Sequence, residues 1–346
     1  MPLSYAKILV IRLSSLGDIV LLVPELIRLR KAAPDAVIHL LTSERFAELF
    51  AENTYLDEVL TLDGSGPGAL ARIRDRLARE RYDAVVDAHG VLRSLILCHT
   101  LHAPRKVRIG KDEIAKFALI AGKANLYRSV VPQTERYARL FEKLGVPKAD
   151  LRIDLPLPAS ATPAAAAAVP PAAPGAPGPV AFAPGARWET KRWPRESYVE
   201  LMRLAAGRGY ATLLIGGPAD AGPNAEIAAQ VSPAPLDCTG ALSILESAAV
   251  LRRCAALVTN DSAPLHLAES VGTPVVAFYG PTVREFGYFP RLPRSVALET
   301  ELPCRPCSRN GARRCPYGTK ECLAAISPPR AMDALARLLA GPEVRE

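Results

Sequence analysis

The sequence predicts an α/β protein made of two doubly wound domains. In each half of the chain, short apolar runs alternate with longer amphipathic stretches, the pattern of parallel strands joined by covering helices, and a segment rich in Ala, Pro and Gly separates the halves. Size agrees: 346 residues, 49% of them hydrophobic and 23% charged, can bury two cores without disulfide staples.

In the first half, AKILVIRL (6–13), AVIHLL (36–41), DEVLTL (57–62) and DAVVDA (83–88) read as buried parallel strands, because both faces of such strands are covered and the run is continuously apolar. After the first run, Ile19, Val20, Val23, Leu26 and Ile27 recur at helical spacing, and Gly68 to Arg81 does the same with its arginines on the opposite face. Residues 158–179 hold 19 Ala, Pro or Gly in 22 positions. Repeated proline predicts a stiff, extended linker there and no helix. It bounds an N-terminal domain, 1–157, and a C-terminal domain, 180–327. In the second domain PVAFAPG, ATLLIGG, ALVTND and PVVAFYG are the strands, and Ser243 with Glu246 offers a capping box for an intervening helix. A terminal helix over Ala331 to Leu339 falls in the last segment, 328–346. Ligands of doubly wound folds bind outside the carboxyl ends of the strands, so the site is expected in a cleft between the two domains.

Charge narrows the partners. Lys and Arg number 43 against 35 Asp and Glu, a net charge of +8 carried mostly by scattered arginines, which suits a polyanionic partner without distinguishing phosphorylated substrates, anionic lipid or nucleic acid. Nucleic acid is disfavoured, since single-strand binders need stacking aromatics and only 6% of residues are aromatic. No run reaches the roughly 18 apolar residues of a membrane span, and the N-terminus lacks the order of a signal peptide. The seven cysteines are then expected as reduced thiols in a cytoplasmic protein.

Three stretches carry chemistry. In RLSSLGDIVLLVPEL the first strand turns directly into a helix, placing Arg12, Ser14, Ser15, Gly17 and Asp18 at the ligand-facing end. Asp18 reads either as an acid pointing into the cleft or as a first-turn helix acid. FAPGARWETKRWPRESY puts Arg187, Lys191 and Arg192 between a strand and a helix entry, an anion site by charge and position. In ALVTNDSAPLHLAESVGTPVVAFYGPT a strand ends at Asn260-Asp261, Ser262 and Pro264 open a helix, and His266 lies one turn in, which points to a phosphate or nucleotide site.

Taken in order, RLSSLGDIVLLVP, YDAVVDAHGVLRSL, FAPGARWETKRWP, LLIGGPAD and NDSAPLHLAESVGTPVVAFYGPT resemble the family 9 glycosyltransferases, the bacterial heptosyltransferases of lipopolysaccharide core assembly. The resemblance spans residues 6 to about 290. It implies the GT-B architecture, two Rossmann-like domains facing across a cleft, and inverting transfer of heptose from ADP-heptose to an inner-core acceptor with no metal needed. Asp18 matches the general base and Lys191 the lysine at the donor diphosphate, with Arg187 beside it. Asp261, Ser262 and His266 match the donor motif, Asp220 in GGPAD falls where the ribose is met, and Leu242 and Ser243 wall the adenine. For the acidic acceptor the expected residues are Ser15, His89, Arg108, Arg136 and Arg139. Such an acceptor implies peripheral association with the anionic inner face of the inner membrane.

One segment departs from the pattern. Cys304, Cys307, Cys315 and Cys322 fall within 304–322, either enclosing a structural Zn or Fe ion or remaining unliganded thiols. Some relatives that glycosylate proteins carry a comparable iron-holding finger, so the alternative is a protein O-heptosyltransferase that uses this segment for docking.

Overall fold

The computed structural model describes residues 3–64, 66–148, 154–169 and 178–340. Its contacts divide the chain into two units, one of residues 1–112 and 131–156, the other of residues 113–130 and 157–346.

The first unit opens with β1 (Lys7–Ile11), α1 (Leu16–Ala32), β2 (Val37–Ser43), β3 (Glu58–Leu62), α2 (Pro67–Arg79), β4 (Ala84–Asp87), α3 (Leu92–Thr100) and β5 (Arg105–Arg108). The sheet is wholly parallel, in the order β3-β2-β1-β4-β5. Residues 8–11 of β1 are fully buried, as a central strand covered on both faces must be. β5 is the strand that periodicity does not reveal: its sequence RKVR buries only Val107. Such charge is what an edge strand carries to discourage pairing with another chain. Next come α4 (Glu113–Gly122), which belongs to the second unit, and α5 (Gln133–Glu142), which packs on α1.

The expected linker begins with a helix instead, α6 (Ala161–Ala168). Proline does not forbid it, because Pro163 stands in the first turn, where the backbone N–H has no helical acceptor to lose, and the five alanines that follow have the best helix propensity. α6 buries Ala161 and Ala165, packs on a helix of the second unit, and is closed by Arg253 Nε donating to the Val169 carbonyl at 2.7 Å. Positions 170–177 of the expected linker and 341–346 of the last segment lie outside the described residues.

The second unit continues with β6 (Val180–Ala183), α7 (Arg195–Gly207), β7 (Thr212–Leu214), α8 (Ala221–Ala228), β8 (Leu236–Asp237), α9 (Ile244–Arg252), β9 (Ala256–Asn260), α10 (Ala263–Glu269), β10 (Val275–Tyr279), β11 (Val296–Glu299), α11 (Glu321–Ala324) and α12 (Pro328–Ala340). Its sheet is again all parallel, β11-β10-β9-β6-β7-β8. The capping box at α9 forms as read: Ser243 Oγ accepts from Glu246 N at 3.2 Å while Ser243 N donates to Glu246 Oε2 at 2.8 Å. The core is organised around Trp193, stacked on Phe278 with centroids 4.1 Å apart and edge-on to Tyr198. Its indole N–H donates to Ile326 O at 3.0 Å, so the polar atom is satisfied inside.

Each sheet has one point where the winding reverses. In the first, the chain leaves β1 towards β2 and leaves β4 towards β5, so the loops after β1 and β4 diverge to opposite faces and leave a crevice at their strand ends. In the second unit the same holds between β6 and β9.

Candidate active site

Arg12 follows β1 and is 5% exposed. Its guanidinium joins the two loops of the first crevice: Nη1 donates to Ala88 O, beyond β4, at 2.6 Å, and Nη2 pairs with Asp18 Oδ2 at 2.7 Å. Asp18 also accepts from Ser15 Oγ at 2.7 Å and Ser15 N at 3.3 Å, and Tyr137 on α5 donates to its Oδ1 at 3.4 Å. The first-turn helix reading of Asp18 is the one these bonds show. It is the N3 acid of the α1 capping box, and it stands at the ligand-facing end of the sheet with one cation and two hydroxyls fixing its orientation.

Beside it, Asp87 ends β4 and accepts from His89 N and Gly90 N at 3.0 and 2.8 Å. His89 is buried. Burial first, then the nearby Arg12 and Lys111 cations, push its imidazole down from 6.5 to about 3, so it is neutral at physiological pH. His89 Nδ1 and Asp87 Oδ2 are buried polar atoms with no hydrogen-bond partner among the described residues.

The other basic residues expected at the acceptor are dispersed. Arg108 is exposed at the end of β5, Arg136 is largely buried against Asp112 at 2.5 Å, and Arg139 faces solvent paired with Glu135 one turn earlier on α5. The i,i+3 spacing of Arg136 and Arg139 thus gives them different partners.

At the second crevice the loop after β6 meets the loop after β9. Asn260 holds them together, its Oδ1 accepting from Trp193 N at 2.9 Å and its Nδ2 donating to Pro184 O at 2.7 Å. This aligns Lys191, from a 3-10 turn over Glu189–Lys191, with Asp261: Nζ to Oδ2 is 2.6 Å and both side chains are largely buried. Thr282 donates to the same Oδ2 at 2.6 Å. Ser262 caps α10, its Oγ 3.5 Å from Thr259 Oγ1, and His266 is buried with its ring 6.0 Å from that of Tyr288.

Asp220 joins this neighbourhood through glycine. A Cβ at Gly185 would lie 2.3 Å from Asp220 Oδ1, and one at Gly216 2.9 Å from Asp220 Cβ. Only glycines allow the GGPAD loop to lie against the loop after β6. Gly240 lies similarly close to Pro218, which brings the entry to α9, with Leu242 and Ser243, next to GGPAD. The Ser243 hydroxyl is engaged in its cap. Arg187 is exposed, its guanidinium 5.3 Å from the Trp188 ring and outside the Lys191–Asp261 pair.

Tyr137 and Thr282 are not singled out by the sequence, and Arg12 is placed at the ligand-facing end there without a role. Only Arg12 has a signal there, a cation at the end of an otherwise apolar strand.

The thiols of the four-cysteine segment lie near enough for their charges to act on one another. All four thiols are free, Cys322 belongs to the hydrophobic core, and among the described residues no group of three or more His, Cys, Asp or Glu side chains is arranged to hold a metal ion. Burial pushes Cys322 up to about 11, and it raises Cys307 as well, helped by Cys304 and Cys315. The backbone turns inward here: Arg305 donates to Gly280 O and Thr282 O at 2.5 and 3.0 Å, and Ala312 exchanges hydrogen bonds with Thr190. The segment buttresses the loops that carry Lys191 and Thr282.

Known proteins resemble this chain in sequence and fold. The lipopolysaccharide heptosyltransferase 1 of Pseudomonas aeruginosa is 28% identical, over 97% of this chain and 99% of its own length. A glycosyltransferase family 9 structure from Veillonella parvula superposes with a TM-score of 0.78 at 26% identity, covering 99% of both chains. The ADP-heptose lipopolysaccharide heptosyltransferase II of Escherichia coli, 21% identical, shares the GT-B fold at a TM-score of 0.73 over 96% of this chain and 98% of its own. The model of glycosyltransferase family 9 (heptosyltransferase) matches residues 70–317, and the chain, a glycosyltransferase by fold and by sequence, belongs to that family.

Proposed function

We propose that this protein transfers heptose from ADP-heptose to the Kdo or heptose of a lipopolysaccharide inner-core acceptor. The observation that carries the reading is the buried Lys191–Asp261 pair at the winding reversal of the second sheet, within a chain of this family. Asp261, itself fixed by Thr282, holds the ammonium where the end of β9 and the loop after β6 converge. Lys191 then meets the donor diphosphate and the negative charge that grows on it as the sugar departs. Asp220, Leu242 and Ser243 line the ribose and adenine side, and Ser262 and His266 complete the phosphate end.

In the first unit Asp18 is the general base. The acceptor O–H gives its proton to the carboxylate as its oxygen bonds to the anomeric carbon, the bond from that carbon to the diphosphate breaks, and ADP leaves; a single displacement inverts the anomeric centre. Arg12, Ser15 and Tyr137 orient the carboxylate. Neutral His89 supports the acceptor by hydrogen bonding, with Arg108 and Arg136 of the same unit as the basic groups for an acidic sugar. A metal at the cysteine segment has no part in this step.

The protein acceptor is the less favoured reading, since relatives aligned along nearly the whole chain are named as lipopolysaccharide and lipooligosaccharide heptosyltransferases. Among the described residues no helix is long and apolar enough to cross a membrane, and the reading places the protein on the cytoplasmic side of the inner membrane, in peripheral contact with it. Calorimetric titration with ADP-heptose, ADP and UDP-glucose tests the donor: selective ADP-heptose binding is expected, and equal or absent binding of the ADP ligands refutes the assignment.

A further inference from the structure

Four of the nine large hydrophobic side chains exposed among the described residues fall in one stretch, 113–130: Ile114 (80%), Phe117 (69%), Leu126 (57%) and Val130 (46%). On α4, Ile114, Phe117 and Ala121 follow helical spacing along an outward face, while Leu119 is the buried residue. A helix that turns Ile114 and Phe117 to solvent while burying only Leu119 lacks a partner on that outward face.

This orientation is held at both ends. Glu113 pairs with Arg309, Lys123 Nζ donates to the carbonyls of Cys304 and Pro306 at 2.9 and 2.7 Å, and Asn125 Nδ2 donates to Glu285 Oε1 at 3.0 Å. The four-cysteine segment is therefore the seat on which α4 stands. The surroundings are basic, with Lys116, Lys123, Arg128 and Arg309 against Glu113 and Glu285. Arg128 is exposed and has no carboxylate partner among the described residues.

We propose that residues 113–130 dock this protein on an anionic phospholipid bilayer, with Ile114 and Phe117 entering the headgroup boundary and Arg128 and its neighbouring cations meeting lipid phosphates. An apolar ridge in a basic surround fits an interface that offers hydrocarbon and negative charge together. A second copy of the chain fits poorly, because a twofold contact would set this basic surround against itself. The proposal deepens the functional reading and rests on it for one point, that the acceptor is an amphiphile held in a membrane.

The test is cosedimentation of the full chain with vesicles of phosphatidylcholine alone or mixed with phosphatidylglycerol, at low and moderate salt. Binding is expected only with phosphatidylglycerol and weakens as salt rises. Ile114→Ser/Phe117→Ser is expected to lose at least about tenfold in vesicle affinity, and Arg128→Ser about fivefold. All three side chains are exposed, so the fold tolerates both variants, and both keep wild-type affinity for ADP-heptose. Equal binding to the two vesicle types, undiminished binding by the double variant, or a wild-type dimer that the double variant dissociates would each overturn the proposal. Vesicle binding by a protein that does not bind ADP-heptose would overturn the functional reading and leave the docking surface standing.

Discussion

Acid is expected to destabilise this protein through one side chain. The His89 imidazole titrates near 6.5 when the chain is unfolded and at about 3 when it is folded, so between those values the unfolded chain binds a proton that the folded one refuses. The sign follows: stability is complete above about pH 6.5 and is lost as pH falls towards 3. At pH 5 the loss is RT ln(1 + 10^1.5), about 2 kcal/mol, and at pH 7.5 it is negligible. Urea denaturation of wild type and His89→Gln at about these two pH values measures it, because glutamine keeps a polar side chain and cannot take the proton. Wild type should lose about 2 kcal/mol more than the variant on going to the lower pH. An imidazole NMR titration gives the site directly: the resonance absent from His89→Gln should stay neutral from pH 8 to about 5. A midpoint near 6.5, or equal pH dependence of the two proteins, refutes the buried, neutral His89.

Asp18→Asn should lower turnover by at least about a thousandfold while ADP affinity, measured by calorimetry, stays at the wild-type value. Lys191→Met should weaken ADP binding roughly 10–100-fold, since it removes a charge-assisted contact. Arg12→Gln should reduce kcat about tenfold or more with little change in donor affinity, as expected of a residue that orients the base without touching the donor. Trp193→Ala removes the ring stacked on Phe278 and should cost about 3–5 kcal/mol in urea denaturation. Gly185→Ala should displace the Asp220 loop and weaken donor binding, where Gly222→Ala, with open space at its Cβ, should not.

The centre of each sheet was legible because burial on both faces writes itself as a continuous apolar run. β1, β2, β4, β6, β9 and β10 are all found this way. The edge strands β5, β8 and β11 were not, since an edge strand needs at most one buried side chain, Val107 in β5 and Leu298 in β11, and α6 was hidden because its one proline, Pro163, lies where a helix tolerates it. Among the site residues, Asp18, Lys191 and Asp261 could be picked out because each lies between a strand and the helix that follows it, or at that helix's start. The partners that make them a site could not: Tyr137 is 119 residues from Asp18 and reaches it only because α5 packs on α1, a fact of topology. Arg139 shows the converse, a basic residue at suitable spacing whose charge is matched by Glu135 on the surface.

The seat of α4 also orders events during synthesis. Lys123 finds its carbonyl acceptors 181 and 183 residues later in the chain, and at about 5–20 residues per second the ribosome needs roughly 10–40 s to supply them. Over that interval the remainder of the first unit can close around 131–156, while Ile114 and Phe117 leave the ribosome on a segment whose support does not yet exist. A fragment ending at 157 would stay in that condition permanently. The full chain should therefore express in soluble form where the N-terminal half alone aggregates, and excising 113–130 from that half should restore its solubility.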